Sequence, residues 1–307
     1  MKRQLSAEIA RYDLHLHTWW SYDATAEVEA HFQRALELGI ECIAITDHHH
    51  LDSLPFVLEM AKRFPEVRAI AAAELSVTTS LGAVDLLCYN LSTRIADSPL
   101  GPVVARYHEW QREVGAAVSA GMCQLGYPYP DEVRLELLRT YRPEEAIELQ
   151  GGTHVNNSVQ RKFFLKQGFI SREEEYPGLI ARVAKTVTIP PYPAVEEVVE
   201  AVHAANGLVA IAHPQGYFGG ADPQRMDRLR EECRFDGIEC AHPAIAPEYT
   251  PVYREYCLRH GLFSVGGSDA HTADDIQAMM GRHGGEGAWL DEFIERIGPA
   301  PGDRQDN

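Results

Sequence analysis

The chain has 307 residues, 45% hydrophobic and 24% charged, so it can build a large core and does not read as a disordered protein outside the last residues, 302–307. Its formal net charge of -17 argues against binding along nucleic-acid tracts, because backbone affinity comes from neutralising phosphates with Lys and Arg. No apolar run approaches the length of a membrane span, and the opening MKRQLSAEIARYDLHLHT lacks the apolar stretch of a signal peptide.

In chain order, YDLHLHT has the period-two pattern of a strand. Residues 26–38 read as a helix, with Gly39 placed to end it. IECIAIT is a short apolar strand, PFVLEMAKRF a helix with Pro55 at its start, and VRAIAAAEL and AVDLLCYNL are two more strands. From about 100 to 190 the signals turn helical, in VVARYHEWQREVGAAVSA, PDEVRLELLRT, NSVQRKFFLKQG and EYPGLIARVAKT. The prolines of TIPPYPAVEEVV mark a boundary. Alternation then resumes, with a helix over 195–205 and strands ending in LVAIAHP, DGIECAHP and LFSVGGSDAH. Strand–helix alternation predicts a mostly parallel α/β barrel assembled from both ends of the chain, with a helical insertion between. The expected division is a discontinuous barrel domain of 10–98 and 190–292, an insertion of 99–189 and a C-terminal tail of 293–307. The six cysteines form no CxxC pair and several lie in strand-like runs, so they read as buried free thiols in a reducing cytoplasm.

The chemistry-bearing residues cluster at predicted C-terminal strand ends, the rim where α/β barrels assemble their sites. His15 and His17 are two apart on a strand and share one face, an arrangement open to metal ligation or to plain hydrogen bonding. His48, in Thr46-Asp47-His48-His49-His50, is the ligand candidate of the next rim loop; Asp47 would orient a ligand, and His49 and His50 read as loop residues. Glu74 closes one apolar run and Asp85 interrupts another, placements that are costly unless the carboxylate is paired or coordinates a cation. His213, Asp269 and His271 follow the later strands, and Asp23 sits after the first. Glu239 and His242 end another strand and read as outer or substrate contacts.

Asp-Leu-His-Leu-His-Thr at 13–18, Thr-Asp-His at 46–48, Glu74, Ala-His-Pro at 212–214 and Gly-Ser-Asp-Ala-His at 267–271 resemble, in order, the motifs of the PHP (polymerase and histidinol phosphatase) superfamily. Thr153-His154-Val155 through Gly168-Phe169 further resembles the insertion of its nucleotide 3′,5′-bisphosphate phosphatase and 5′→3′ exonuclease branch. The resemblance implies a distorted (β/α)7 TIM-like barrel, the PHP fold, holding two or three divalent ions: manganese, iron or zinc, with magnesium as an alternative. It implies one ion on His15, His17, Glu74 and Asp269, a second on His48, Glu74 and Asp85 with Glu74 bridging, and a third on Asp23, His213 and His271. Two departures stand out. Asp23 is displaced by one residue from the family's spacing, and Asp85 stands where that branch has histidine, a harder ligand that shifts preference towards manganese, iron or magnesium.

The expected activity is metal-dependent phosphoesterase hydrolysis of phosphomonoesters, of nucleotides or nucleoside bisphosphates, by a metal-activated hydroxide. The candidate catalytic residues are His213, His271 and Asp269, either histidine acting as proton donor to a leaving alkoxide where the third ion is absent. His154 and Arg161 are candidates to meet the remote part of the substrate, and Trp19 and Trp20 to stack on a base; Lys162 reads as a solvated face. Alternatives are a phosphodiesterase or 5′→3′ exonuclease acting on short oligonucleotide ends, a phosphatase of a non-nucleotide small molecule, and a non-catalytic PHP module. The sequence leaves the oligomeric state open.

Overall fold

A computed structural model describes residues 9–298 except 93, 94, 96 and 97; residues 302–307, read above as disordered, lie outside the described residues. Seven strands run in chain order around the sheet: β1 (Tyr12–Leu16), β2 (Cys42–Ile45), β3 (Arg68–Thr79), β4 (Gly82–Tyr89), β5 (Leu208–Ile211), β6 (Gly237–Ala241) and β7 (Phe263–Gly266). The sheet nearly closes on itself, because Asp269 N donates to His15 O at 2.8 Å and His17 N to Ala270 O at 3.0 Å. The strands are buried along almost their whole length, as expected when a sheet is covered on one face and filled on the other.

One strand departs from the parallel expectation. β3 and β4 form a hairpin turned at Ser80 and Leu81, so β4 runs antiparallel to both β3 and β5. Only two residues separate the strands, too few for a crossover helix. Reversal also explains why Asp85 belongs at the rim although it precedes the apolar half of its strand. In an antiparallel strand it is the N-terminal half that lies at the ends of its parallel neighbours, and Asp85 pairs with Ser76, two residues past Glu74.

The helices α1 (Val28–Leu38), α2 (Leu54–Arg63), α8 (Val195–Ala204), α9 (Pro223–Cys233), α10 (Thr250–His260), α11 (Ala273–Met279) and α12 (Gly287–Ile297) surround the sheet. Gly39 ends α1 in the left-handed conformation (φ 72°), its N–H turned back to Ala35 O and Leu36 O. α12 runs through the expected boundary at 293 because Trp289, Leu290, Phe293 and Ile297 form one apolar stripe in the barrel core, so the expected tail begins inside a packed helix. Between α2 and α8 the chain forms α3 (Leu100–Gln124), α4 (Asp131–Leu138), α5 (Glu144–Gln150), α6 (Asn157–Lys166) and α7 (Tyr176–Val183). Leu100, Val103 and Tyr107 of α3 pack in the barrel core, while Met122 at its far end belongs to a second cluster with Tyr129, Phe164 and Val183. α3 thus joins two cores.

All six cysteines are free; five are buried, and Cys123, at the end of α3, is exposed. Among the described residues no helix is long and apolar enough to cross a membrane.

Candidate metal centre

β1 positions the first two groups. His15 and His17 are fully buried, and their Nε2 atoms lie 3.1 Å apart. Two imidazole nitrogens can approach this closely only with a proton or a cation between them. Glu74 Oε2 stands 2.9 Å from His15 Nε2 and 3.2 Å from His17 Nε2, and Asp269 Oδ1 stands 3.3 and 3.1 Å from the same atoms. The close packing of β1 against the loop after β7 depends on Gly267, whose added Cβ would fall 2.3 Å from His15 Cβ.

Glu74 faces two ways. Its Oε2 meets the first set, while Oε1 lies 3.0 Å from His213 Nε2, which is in turn 3.8 Å from Asp85 Oδ2. Asp85 is held from behind by two hydroxyls: Ser76 Oγ donates to its Oδ1 at 2.5 Å and Tyr217 to its Oδ2 at 2.7 Å. A third set gathers round Asp23, whose Oδ2 is 3.3 Å from His48 Nε2 and 3.4 Å from His271 Nε2, with His17 within reach. His48 and His213 have therefore exchanged places relative to the grouping the resemblance implied. The cause is topological: His48 follows β2 on the side of β1 and its loop, whereas His213 follows β5, directly beside β4 and Asp85. The one-residue displacement of Asp23 does not remove it from the cluster, since Asn156 Nδ2 from the insertion donates to Asp23 O at 2.5 Å and pins the loop.

The donor set fits divalent cations. It consists of imidazole nitrogens and carboxylate oxygens only, and Asp23 Oδ1 and His48 Nδ1 are buried without a hydrogen-bond partner, His48 Nδ1 facing Glu74 Oε2 at 3.6 Å. Burial opposes the charge on Glu74, but the neighbouring imidazoles of His15 and His48 outweigh it and hold the carboxyl well below its usual range. Asp23 is lowered in the same way against burial by His48 and His271, and Asp269 by His15 and His17. The imidazoles show the reciprocal effect. Burial pushes them down, yet Asp23 lifts His48 to about 10 and His271 to about 9, and Glu74 lifts His213 to about 9. Without cations, protons thus neutralise the carboxylates, and a bound divalent ion replaces them.

The loop histidines do other work. His49 is buried with φ 66°, donates from Nε2 towards Ser76 Oγ at 2.9 Å, and so lies behind Asp85. Asp47 accepts from Thr18 N at 2.6 Å and Thr18 Oγ1 at 2.8 Å, fixing the turn after His17. His271 Nδ1 donates to Asp269 O at 2.7 Å, which leaves Nε2, 3.4 Å from Asp23 Oδ2, as the atom that holds a proton without a cation and would give it up to become a ligand.

Of the residues expected to meet substrate, His154 lies with its ring 3.9 Å from Tyr22, next to Asp23, and burial pushes its pKa down to about 3. Arg161 lines a cavity of about 490 Å³ that it shares with Tyr22, Asp23 and His271, and it pairs there with Glu173 at 3.0 Å. Lys162 instead lines a separate groove with Lys166 and Phe163. The tryptophan expectation needs correction. Trp20 is 2% exposed and packs on Phe56 at 4.7 Å between centroids, and Trp19 is half-buried against the same core cluster. Their backbone carbonyls are instead acceptors for the buried Arg142 of the insertion. Trp20→Ala is therefore expected to cost about 3–5 kcal/mol of stability, as large core deletions do, with KM unchanged; a raised KM at unchanged melting temperature would restore the stacking role.

Comparison with known proteins bears on this arrangement. The model of the PHP domain matches residues 13–188, more than half of the chain. The 5′-3′ exoribonuclease Rnm of Salmonella typhimurium is 24% identical over 267 residues, 85% of each chain, and its Escherichia coli counterpart 24% over 264 residues. A PolC-type DNA polymerase III from Thermotoga maritima is 37% identical over 62 residues, 20% of this chain and 4% of the polymerase. Among solved structures, a Bifidobacterium adolescentis protein assigned as a metal-dependent phosphoesterase superposes with a TM-score of 0.73 at 20% identity, covering 95% of this chain and 98% of that one. An amidohydrolase from Chromobacterium violaceum, solved with bound sulfate, gives 0.66 at 19% identity, with 86% and 88% covered. With the seven-stranded barrel and its rim of imidazoles and carboxylates, the match over residues 13–188 shows that the chain belongs to the PHP domain family.

Proposed function

We propose that this metal-dependent phosphoesterase hydrolyses terminal phosphomonoesters of nucleotides or nucleoside bisphosphates. The observation that carries the reading is Glu74, whose two oxygens each address a different ligand set: Oε2 addresses His15, His17 and Asp269, and Oε1 addresses His213 beside Asp85. A carboxylate so placed suits two ions working on one phosphate, and Asp23, His48 and His271 offer a third position at the edge of the Arg161 cavity.

Divalent ions held there would supply Lewis acidity towards phosphate oxygens and an attacking water. The chain's own residues set the geometry. His15, His17, Glu74 and Asp269 define the inner end of the site, and the wall of buried carboxylates admits a phosphate only when cations are loaded. His213 and His271 act as ligands in this reading. Arg161, released from Glu173, is a cavity-lining cation that could meet a second phosphate. Asp85 in place of an imidazole adds a hard anionic donor, which favours manganese, iron or magnesium at the His213 position.

The Rnm relatives favour a second reading, 5′→3′ exonuclease action on short oligonucleotides, since they align over 85% of the chain. Rates measured with adenosine 3′,5′-bisphosphate, AMP and a short 5′-phosphorylated RNA separate the two. Turnover of the bisphosphate at least about tenfold faster than the RNA supports the first reading; preference for the RNA with stepwise release of mononucleotides replaces it with the second.

A further inference from the structure

β6 supplies none of the three ligand sets above, yet it and the residue that follows it present two buried polar side chains, Glu239 and His242, towards them. Glu239 is fully buried between β5 and β7. Its Oε1 accepts from His15 Nδ1 at 2.9 Å, and its Oε2 accepts from His213 N at 2.7 Å. One carboxylate thereby fixes a ligand of the first set and a ligand of the second. His242 is 5% exposed, and its Nδ1 accepts from Ala244 N at 2.9 Å. The neutral ring must then carry its proton on Nε2, which lies 3.3 Å from Asp269 Oδ2.

His15, Glu239 and His242 lie close enough together to suggest another cation position. Their hydrogen bonds speak against it. Glu239 has an N–H on each oxygen, His15 turns its Nε2 to the first set, and His242 Nδ1 is occupied. Glu239 keeps acceptor capacity, but with both His15 nitrogens engaged and the His242 proton on Nε2 neither imidazole has a lone pair left for an ion between them.

The backbone supplies an independent reason to look here. His213 (φ 27°) and Asp269 (φ 54°) both adopt the left-handed region that non-glycine residues avoid. Such conformations persist only where the surroundings over-determine them. These are the two ligands that Glu239 and His242 meet besides His15: Glu239 holds the backbone of one and His242 faces the carboxylate of the other.

We propose that Glu239 and His242 form a clamp that positions the metal ligands of three strands, His15 on β1, His213 after β5 and Asp269 after β7, without binding an ion themselves. The proposal rests on the ligand assignment above and not on the identity of the substrate.

The test is Mn(II) binding to the full-length protein in the absence of substrate, by equilibrium dialysis with metal analysis, beside thermal unfolding. Glu239→Gln keeps the size but puts an N–H where an acceptor is needed, so it should weaken the ions of the first and second sets by about 10–100-fold, the usual cost of losing an outer partner. The ion at Asp23, His48 and His271 should be retained. His242→Ala should weaken one ion by about tenfold, and His242→Gln, which keeps a donor near the same place, should recover most of it. Unchanged affinities in Glu239→Gln and His242→Ala, with both folded, would overturn the clamp. So would complete loss of one ion in His242→Ala that Gln does not rescue, since His242 would then be a ligand. A wild-type chain that takes up no Mn(II) would instead remove the ligand assignment itself.

Discussion

Glu74→Gln should abolish detectable turnover and lower the metal content by two ions rather than one. The amide keeps the shape of the side chain but cannot offer an anionic oxygen to each of two ligand sets, and it adds an N–H facing either His15 or His213 at about 3 Å. The loss should exceed the ~10–100-fold penalty of an outer partner, because a shared ligand is removed outright. Asp23→Ala is the informative contrast. Asp23 serves only the set with His48 and His271, so the variant should keep the two ions that share Glu74 and retain measurable activity. Equal loss of metal and activity in the two variants, measured by metal analysis and kcat/KM, would mean that the sets are not separable and that the bridging position of Glu74 is wrong.

The second large effect is on stability against pH, and it should differ in sign between metal-free and metal-loaded protein. In the metal-free chain His48, His213 and His271 titrate near 10, 9 and 9 after burial is outweighed by Asp23 and Glu74, against about 6.5 when unfolded. Folded values raised above unfolded ones give stability that is fully present below pH ~6.5 and is lost as pH rises through 9 to 10. Asp23, Glu74 and Asp269 are lowered by the same imidazoles, so their contribution is present above pH ~4 and is lost as the solution is acidified through their depressed values. Chelated protein is therefore expected to be most stable between about pH 4.5 and 6.5 and to lose melting temperature steadily towards pH 10. With metal loaded, the protons are already displaced and stability should instead rise with pH up to neutrality, as metal affinity rises. Parallel melting curves for the two forms from pH 5 to 10 check this; coincident curves would show that the imidazoles are not the counter-charges of these carboxylates.

Much of the barrel was legible because its signals are local. The apolar runs that end at His17, Asp47, Glu74 and His213 give four strands and a common rim, and Gly39 stops α1 where its spacing says it should. What the sequence hid depends on neighbours that are distant in the chain. The reversal of β4 places Asp85 beside His213, and only that adjacency assigns His48 to Asp23 instead of to Asp85. Ser76 and Tyr217, which hold Asp85, are 141 positions apart by their numbering and carry no motif. Trp19 and Trp20 misled for a related reason. Their position directly after a ligand strand suggests an open site, but Arg142 from the insertion draws the loop inward and Trp20 fills space against Phe56. Glu239 and His242 were visible as residues, while their roles lie in which atom faces which ligand.

The most direct measurement is metal content by mass spectrometry on protein purified without chelators, followed by reconstitution with manganese, iron or zinc. The three ligand sets predict two to three divalent ions per chain, lost on chelation together with hydrolysis of a nucleotide phosphate and restored with it. A chain that purifies without metal, cannot be reconstituted and is indifferent to chelators would contradict the metal-dependent reading of this rim.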